Sequence, residues 1–229
     1  MTFSRAGFSG SPEFPGFWAG DEDSTWDALR ASVVAGITAG ASGISFWGFD
    51  IGGFSGPIPS PELFLRASAF ATFCPIMQLH AEFNHHRTPS ADRTPWNLAD
   101  RHDDQQLLEI FRRFSALRTR LLPYITAEAE HGIATGRPLM AGLCFEFWTD
   151  PEIWSAPGQY LFGRDLLVCP VTTEGVREVA VYLPEGDWTD VWTGDEFAGG
   201  GWIEVAAPLD AIPVFARANA PMWCALFAR

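Results

Sequence analysis

The chain has 229 residues, 47% of them apolar, which is enough for one large domain or two smaller ones and too apolar for wholesale disorder. Acidic residues outnumber basic ones by 28 to 15, for a net charge of −13. That balance disfavours nucleic acid and anionic membranes as partners, because binding phosphate needs clustered cations. Every basic residue is Arg, which excludes Lys-dependent Schiff-base and P-loop chemistry.

In chain order, the first twenty residues are rich in Gly, Pro and Phe and read as a loop packed on other structure. Asp23-Ser24-Thr25 offers a helix cap, and Trp26, Leu29, Val33, Val34 and Ile37 follow at helical spacing until Gly40 and Gly43. Ile44 to Phe49 reads as a strand buried on both faces. The uncharged stretch from Ala31 to Phe49 therefore reads as buried helix plus strand; its Gly, Ser and Thr content argues against a membrane span. Leu63 to Phe73 is predicted helical, and Ile76 to Leu79 is predicted to be a second short strand ending at His80. This β, loop, α, β order suits an α/β barrel. Glu82 to Arg101 reads as a polar loop. A long helix then follows, with Leu107, Leu108, Phe111, Phe114, Leu117, Leu121 and Leu122 marking one face, a kink at Pro123, and a stop at Gly132 or Gly136.

Past Arg137 short β-type runs recur: 139–147, 160–171, 178–183, 188–192, 202–205 and 212–216. Pro, Gly and Asp separate them, which predicts an antiparallel sandwich. The expected organisation is thus an α/β, barrel-like part followed by an antiparallel β-sandwich, with the boundary near 137–150. Cys74, Cys144, Cys169 and Cys224 lie in apolar runs without C-x-x-C spacing and read as buried thiols, not as zinc or redox ligands. No signal-peptide pattern opens the chain, so a cytoplasmic setting is the default expectation.

Several residues could carry chemistry. Asp21 follows Phe17-Trp18-Ala19-Gly20; a carboxyl desolvated beside Trp can hold a proton near neutral pH, as a general acid needs, although an Asp before a helix is commonly a cap. Asp50 and His80 end apolar segments, where parallel α/β sheets place their sites, although either could merely satisfy backbone groups. Arg5, among small residues, could hold a carboxylate or sugar hydroxyls. Trp18, Trp47 and Phe54 could stack on sugar faces. His85, His86 and His102 lack metal spacing, and neither G-x-S-x-G nor G-x-G-x-x-G occurs.

Together these blocks resemble glycoside hydrolase family 31, the α-glucosidase and α-xylosidase family. Ser4-Arg5 precedes Phe17-Trp18-Ala19-Gly20-Asp21, with Trp26 beyond; Phe49-Asp50-Ile51-Gly52-Gly53-Phe54, Pro75-Ile76-Met77-Gln78-Leu79-His80 and Arg120-Leu121-Leu122-Pro123-Tyr124 follow in order. The runs from Tyr160 to Val171 and from Leu183 to Trp188 match the start of the family's sandwich, whereas Pro221 to Phe227 departs from its usual ending. The resemblance implies an α/β fold, the C-terminal portion of a (β/α)8 barrel over residues 1–140 followed by a β-sandwich domain over 141–229, and a retaining hydrolase of terminal α-linked sugars, needing neither metal nor organic cofactor, with an oligosaccharide or α-glycoside as its substrate. It implies Asp21 as general acid/base, and Arg5, Trp18, Asp50, Phe54 and His80 as sugar-binding residues. The family's nucleophile lies in a W-x-D-x-x-E block upstream of the Arg5 block, so the second carboxylate and the other half of the barrel are expected outside this polypeptide. Trp148-Thr149-Asp150 and Trp188-Thr189-Asp190 read as decoys. The loop at 85–90 is a candidate for shaping the aglycone side. The rival expectations are a carbohydrate-binding module without chemistry and an inert fragment.

Overall fold

Short apolar runs in the first eighty residues pair side by side in parallel. The structure, a computed structural model, describes residues 3–14, 16–82, 92–217 and 220–228. Strand β1 (Phe17–Trp18) lies parallel to β2 (Trp47–Gly48), with Phe17 opposite Trp47. Single parallel bridges extend this ladder on both sides, Ser4 to Phe17 and Asp50 to Gln78. Helix α1 (Trp26–Ala41) returns the chain from β1 to β2, started by the Thr25 hydroxyl accepting the Ala28 N–H at 3.1 Å. Helix α2 (Pro61–Thr72) makes the next return, with Ser60 as its cap and Pro in its first turn. These are successive β/α units of a barrel wall.

Three expectations need correction here. Ile76 to Leu79 is not a strand: the Ile76 N–H donates to the Trp47 carbonyl and the Ile51 N–H to that of Gln78, two bonds that make a bridge and no ladder. The run from Ile44 to Phe49 likewise pairs as a strand only at Trp47–Gly48. Inside the supposed polar loop from Glu82 to Arg101 stands helix α3 (Pro95–His102). Its cap is Thr94, whose hydroxyl accepts the Asn97 N–H, and it buries Leu98 and Ala99 while leaving Trp96 exposed. Capping and three buried residues, Pro95, Leu98 and Ala99, form this helix, so no long apolar stripe marks it. Helix α4 (Gln105–Thr135) runs across Pro123 and ends at Gly136, whose φ of 80° suits a residue lacking Cβ.

The second half is antiparallel. Strands β3 (Met140–Gly142), β4 (Tyr160–Phe162), β5 (Leu166–Val168), β6 (Glu178–Leu183), β7 (Asp187–Asp190), β8 (Glu196–Ala198), β9 (Gly201–Ala206) and β10 (Val214–Ala216) follow in order. Six form one sheet, β3-β4-β5-β10-β7-β8, and β6 pairs with β9 as a separate ribbon. The period-two alternation of strands divides the sheet between two cores. Tyr160, Phe162, Leu166, Val168, Val214 and Ala216 face the helices, whereas Leu161, Leu167 and Phe215 face the ribbon's Val181 and Leu183. The run from Leu139 to Phe147 is a strand only to Gly142 and then turns as a short 3-10 helix. Strand β8, short and half exposed, carries no apolar run that would mark it in sequence. Residues 220–227 form helix α5 (Ala220–Phe227). Its Phe227 ring stacks on Phe73 and meets the Trp192 ring edge-on.

Buried polar bonds join the halves. The Tyr160 hydroxyl donates to the Phe73 carbonyl at 2.9 Å. The Arg66 guanidinium, 2% exposed, donates to the carbonyls of Val176, Ala207 and Pro208 at 2.7–3.0 Å. Arg118 donates to those of Thr72, Cys74 and Pro75. Cys74 and Cys169 are buried as expected, while Cys144 and Cys224 are only partly covered. Among the described residues no helix is long and apolar enough to cross a membrane. Replacing Arg66 by Ala removes the donors of three carbonyls from the core, and chemical denaturation should show a loss of about 3 kcal/mol or more.

Candidate functional site

Side chains that leave the ends of parallel strands gather at one rim, the place where barrel folds put their chemistry. Arg5 follows the bridge at Ser4, Trp18 and Asp21 follow β1, Asp50 and Phe54 follow β2, and His80 follows the bridge at Gln78. The rings of Trp18, Phe54 and His80 form a triangle with centroids 6.1, 5.7 and 5.2 Å apart. His80 Nδ1 stands 3.9 Å from Asp50 Oδ1. Arg5 pairs with Asp21 at 2.7 Å, and Asp21 lies within electrostatic reach of both Glu22 and Asp50. The structure thus brings together all six residues singled out in sequence. Trp47 is not among them: it is 5% exposed and stacks on Phe49 in the core.

The loops carrying these residues are laced to each other. The N–H groups of Phe54 and Ser55 both donate to the Glu22 carbonyl, at 2.8 and 3.1 Å. The Ser55 hydroxyl is 3.1 Å from the Asp21 carbonyl and 2.9 Å from Asp23 Oδ1, and the Ser24 N–H donates to the Ser55 carbonyl. A side chain at Gly53, where φ is 91°, would meet the Ser24 backbone at 2.7 Å, so the close approach requires glycine. The Glu82 N–H donates to the Phe54 carbonyl and ties in the His80 segment.

Burial falls on other carboxyls than the one the sequence pointed to. Asp21 is exposed, its side chain 44% accessible, so the expected desolvation beside Trp18 does not occur there. Asp50 has no accessible surface; its Oδ1 accepts from Gln78 Nε2 at 2.7 Å and its Oδ2 has no partner. Desolvation pushes its pKa up to about 7, with the nearby Asp21 charge acting the same way and the Gln78 bond opposing. Glu22 rises to about 7 as well, chiefly through burial.

Glu22, Gln78 and Arg93 are functional-site residues that sequence reasoning missed. Arg93, 4% exposed, donates to the carbonyls of Gly53, Ser55 and Gly56 and holds the Phe54 loop from beneath. An Arg in a polar stretch gives no sign of burial; only the carbonyl-rich Gly-Gly loop opposite it could have prompted the search. The two W-x-D strings have local duties instead. Asp150 accepts the Glu152 N–H and the Tyr182 hydroxyl, and Asp190 accepts the Trp192 and Thr193 N–H groups. Among the described residues no three His, Cys, Asp or Glu side chains gather as metal ligands. The loop at 85–90, with His85 and His86, lies outside the described residues.

Two family models match successive parts of the chain. Residues 1–128 match the Glycosyl hydrolases family 31 TIM-barrel domain, and residues 136–220 match the Glycosyl hydrolase family 31 C-terminal domain. The chain is 53% identical over 219 residues to the 1,3-alpha-isomaltosidase of Kribbella flavida, covering 96% of this chain and 30% of that protein. It is 39% identical to the isomaltosyltransferase of Sporosarcina globispora, covering 95% of this chain and 20% of that protein. Among solved structures, a Kfla1895 mutant in complex with isomaltose superposes with a TM-score of 0.95 at 51% identity, over 99% of this chain and 32% of that one. The cycloalternan-degrading enzyme from Trueperella pyogenes in complex with a covalent intermediate gives 0.92 at 49%, over 95% and 30%. The chain therefore spans about a third or less of these relatives.

The two raised carboxyls fix the sign of a pH effect. Their folded pKa values, about 7, exceed the ordinary 4.5 of Glu22 and 3.8 of Asp50, so the folded chain holds extra protons between pH 4 and 7. Their contribution to stability is complete below the ordinary values and is lost as pH rises through 7. The melting temperature should fall between pH 5 and pH 8, and Asp50→Asn should flatten that slope in thermal unfolding followed by circular dichroism.

Proposed function

Because the chain belongs to glycosyl hydrolases family 31, we propose that it carries the acid/base side of a retaining α-glycosidase site acting on terminal α-linked sugars. The observation that carries this reading is the meeting of Arg5, Asp21, Asp50 and His80 at one rim of parallel strands. The sugar at the rim rests against Trp18, Phe54 and His80, whose faces suit its C–H surfaces. Asp50 has no accessible surface in this chain and backs the rim beside His80, its Oδ1 3.9 Å from the His80 Nδ1. Asp21 protonates the glycosidic oxygen as the bond to the leaving group breaks, and later removes a proton from water. Its solvent access lets that proton be exchanged, and Arg5 orients the carboxylate. The carboxylate that forms the glycosyl intermediate is assigned to the rest of the barrel, outside the described residues. The likeness to the Kribbella flavida 1,3-alpha-isomaltosidase favours an α-glucosyl unit of an isomaltose-containing saccharide over xylose.

Two further assignments belong to the same reading. Residues 1–140 form the barrel portion and 141–229 the sandwich, supported by the end of α4 at Gly136 and antiparallel pairing from Met140. The four free cysteines support a reducing, cytoplasmic setting.

The test is a hybrid enzyme in which this chain replaces the matching segment of the Kribbella flavida relative, assayed on isomaltose-containing saccharides. The hybrid should turn over, and Asp21→Asn should lower kcat by about 1000-fold or more. The chain alone should release no sugar. Saturable isomaltose binding by calorimetry, together with a hybrid whose turnover ignores Asp21, would instead favour a binding module.

A further inference from the structure

The peptide that carries Asp21 continues into Glu22, and Glu22 turns both its backbone and its side chain to the strand end opposite. Its Oε1 accepts the Asp50 N–H at 2.9 Å. Its own carbonyl accepts from Phe54 and Ser55. A single residue thereby holds three N–H groups of the segment from which Asp50 and Phe54 project. Asp50 has no accessible surface in the folded chain, so no water competes with the Glu22 carboxyl for its N–H. The neighbouring bonds of Ser24, Ser55 and Arg93 reach only residues 53 to 56 and leave the Asp50 N–H to Glu22 alone.

We propose that Glu22 is a positioning residue: by accepting the Asp50 N–H it locks the sugar-facing strand end to the peptide bearing Asp21, so the proton-transferring carboxyl and the sugar contacts keep one fixed geometry. The proposal rests on the glycosidase reading for its catalytic consequence, but not for the lock itself. Glu22 does not contact the sugar; it acts through Asp50 and Phe54. A lock of this kind matters because transfer to a glycosidic oxygen tolerates little misplacement of the donor relative to the bound ring.

The lock is also acidic, for a reason visible in its surroundings. The charged groups facing Glu22 are Asp21 and Asp50, both acids. The nearby bases are committed elsewhere: Arg5 to Asp21, Arg93 to the carbonyls of the Phe54 loop, and His80 beside Asp50. Glu22 Oε2 is buried without a partner, as is Asp50 Oδ2. Burial among acids raises the Glu22 carboxyl to about 7. Glutamine can keep the acceptor while removing the proton, which separates the positional part of the role from its ionisation.

The lock is tested on this chain itself by amide hydrogen exchange. Glu22→Ala should speed exchange at the Asp50 N–H by about 10-fold or more relative to amides in α4, while Glu22→Gln should keep its protection. Equal protection in all three forms overturns the lock. The catalytic consequence is read in the hybrid enzyme. Glu22→Ala should lower kcat/KM by about 10- to 100-fold per folded molecule. Glu22→Gln should recover most of that loss and shift the near-neutral limb of the pH profile by about half a pH unit or more. A Glu22→Ala form that melts lower but keeps kcat/KM and its pH profile overturns the catalytic part. Failure of the glycosidase reading is recognised separately, by turnover that survives Asp21→Asn; the exchange result then still decides whether the lock exists.

Discussion

Parallel pairing of Phe17–Trp18 with Trp47–Gly48 is the constraint on which the rest of the structure depends. Parallel neighbours cannot be joined by a tight turn, so each strand end must be followed by a long return, here α1 and α2. The returns cover the outer face, and the strand ends all open on the same side. Residues next to the strand ends in sequence therefore become neighbours in space even though Arg5 and His80 are 75 positions apart. Antiparallel pairing of the same runs would have sent alternate ends to opposite rims and separated Asp21 from Asp50.

The antiparallel half supports that arrangement from behind. Helix α2 is buried along nearly its whole surface, which a helix at the edge of a barrel cannot achieve alone. Its outer side is closed by α4 and by the sheet that carries Tyr160 and Phe162. Burying so much helix leaves backbone carbonyls at its end and in the adjoining loops without water, and Arg66, Arg118 and the Tyr160 hydroxyl supply the donors. Desolvation lowers the Arg66 pKa to about 10, far enough above neutrality that the guanidinium stays charged while it serves three carbonyls.

The legible parts of the sequence were those written in side-chain chemistry along one segment. The apolar stripe of α4, the β-type run of β6 and the blocks around Asp21, Asp50 and His80 are local patterns, and the structure has the corresponding elements there. The illegible parts depend on partners distant in sequence. Helix α3 is held by a cap and by Leu98 against α4, neither visible as periodicity. The segment from Ile76 to Leu79 has strand composition but makes only two bonds to its neighbour. Trp47 and Trp18 look equivalent as aromatic residues near a strand; period two sends the Trp47 ring into the core beside Phe49, while Trp18 reaches the rim. Glu22 gives no sequence signal, because adjacent acids look like a solvated run, and only tertiary packing shows that one of them is turned inward.

Three carboxyls within one small neighbourhood pose an electrostatic problem that environment resolves. Placed alike, Asp21, Glu22 and Asp50 would repel one another and compete for the same proton. The fold gives each a different setting: Asp21 stands in solvent beside Arg5, Asp50 is sealed behind Gln78 with His80 at its mouth, and Glu22 is folded back onto the Asp50 N–H. Accessibility separates the three: Asp21 is exposed, Glu22 half-buried and Asp50 without accessible surface. Asp21 is the carboxyl that solvent reaches, while Glu22 and Asp50 are tied to each other at the strand end behind it. The burial that raises Asp50 and Glu22 toward neutrality and the hydrogen bonds that fix their positions come from the same packing, so this site's geometry and its acidity cannot be altered independently.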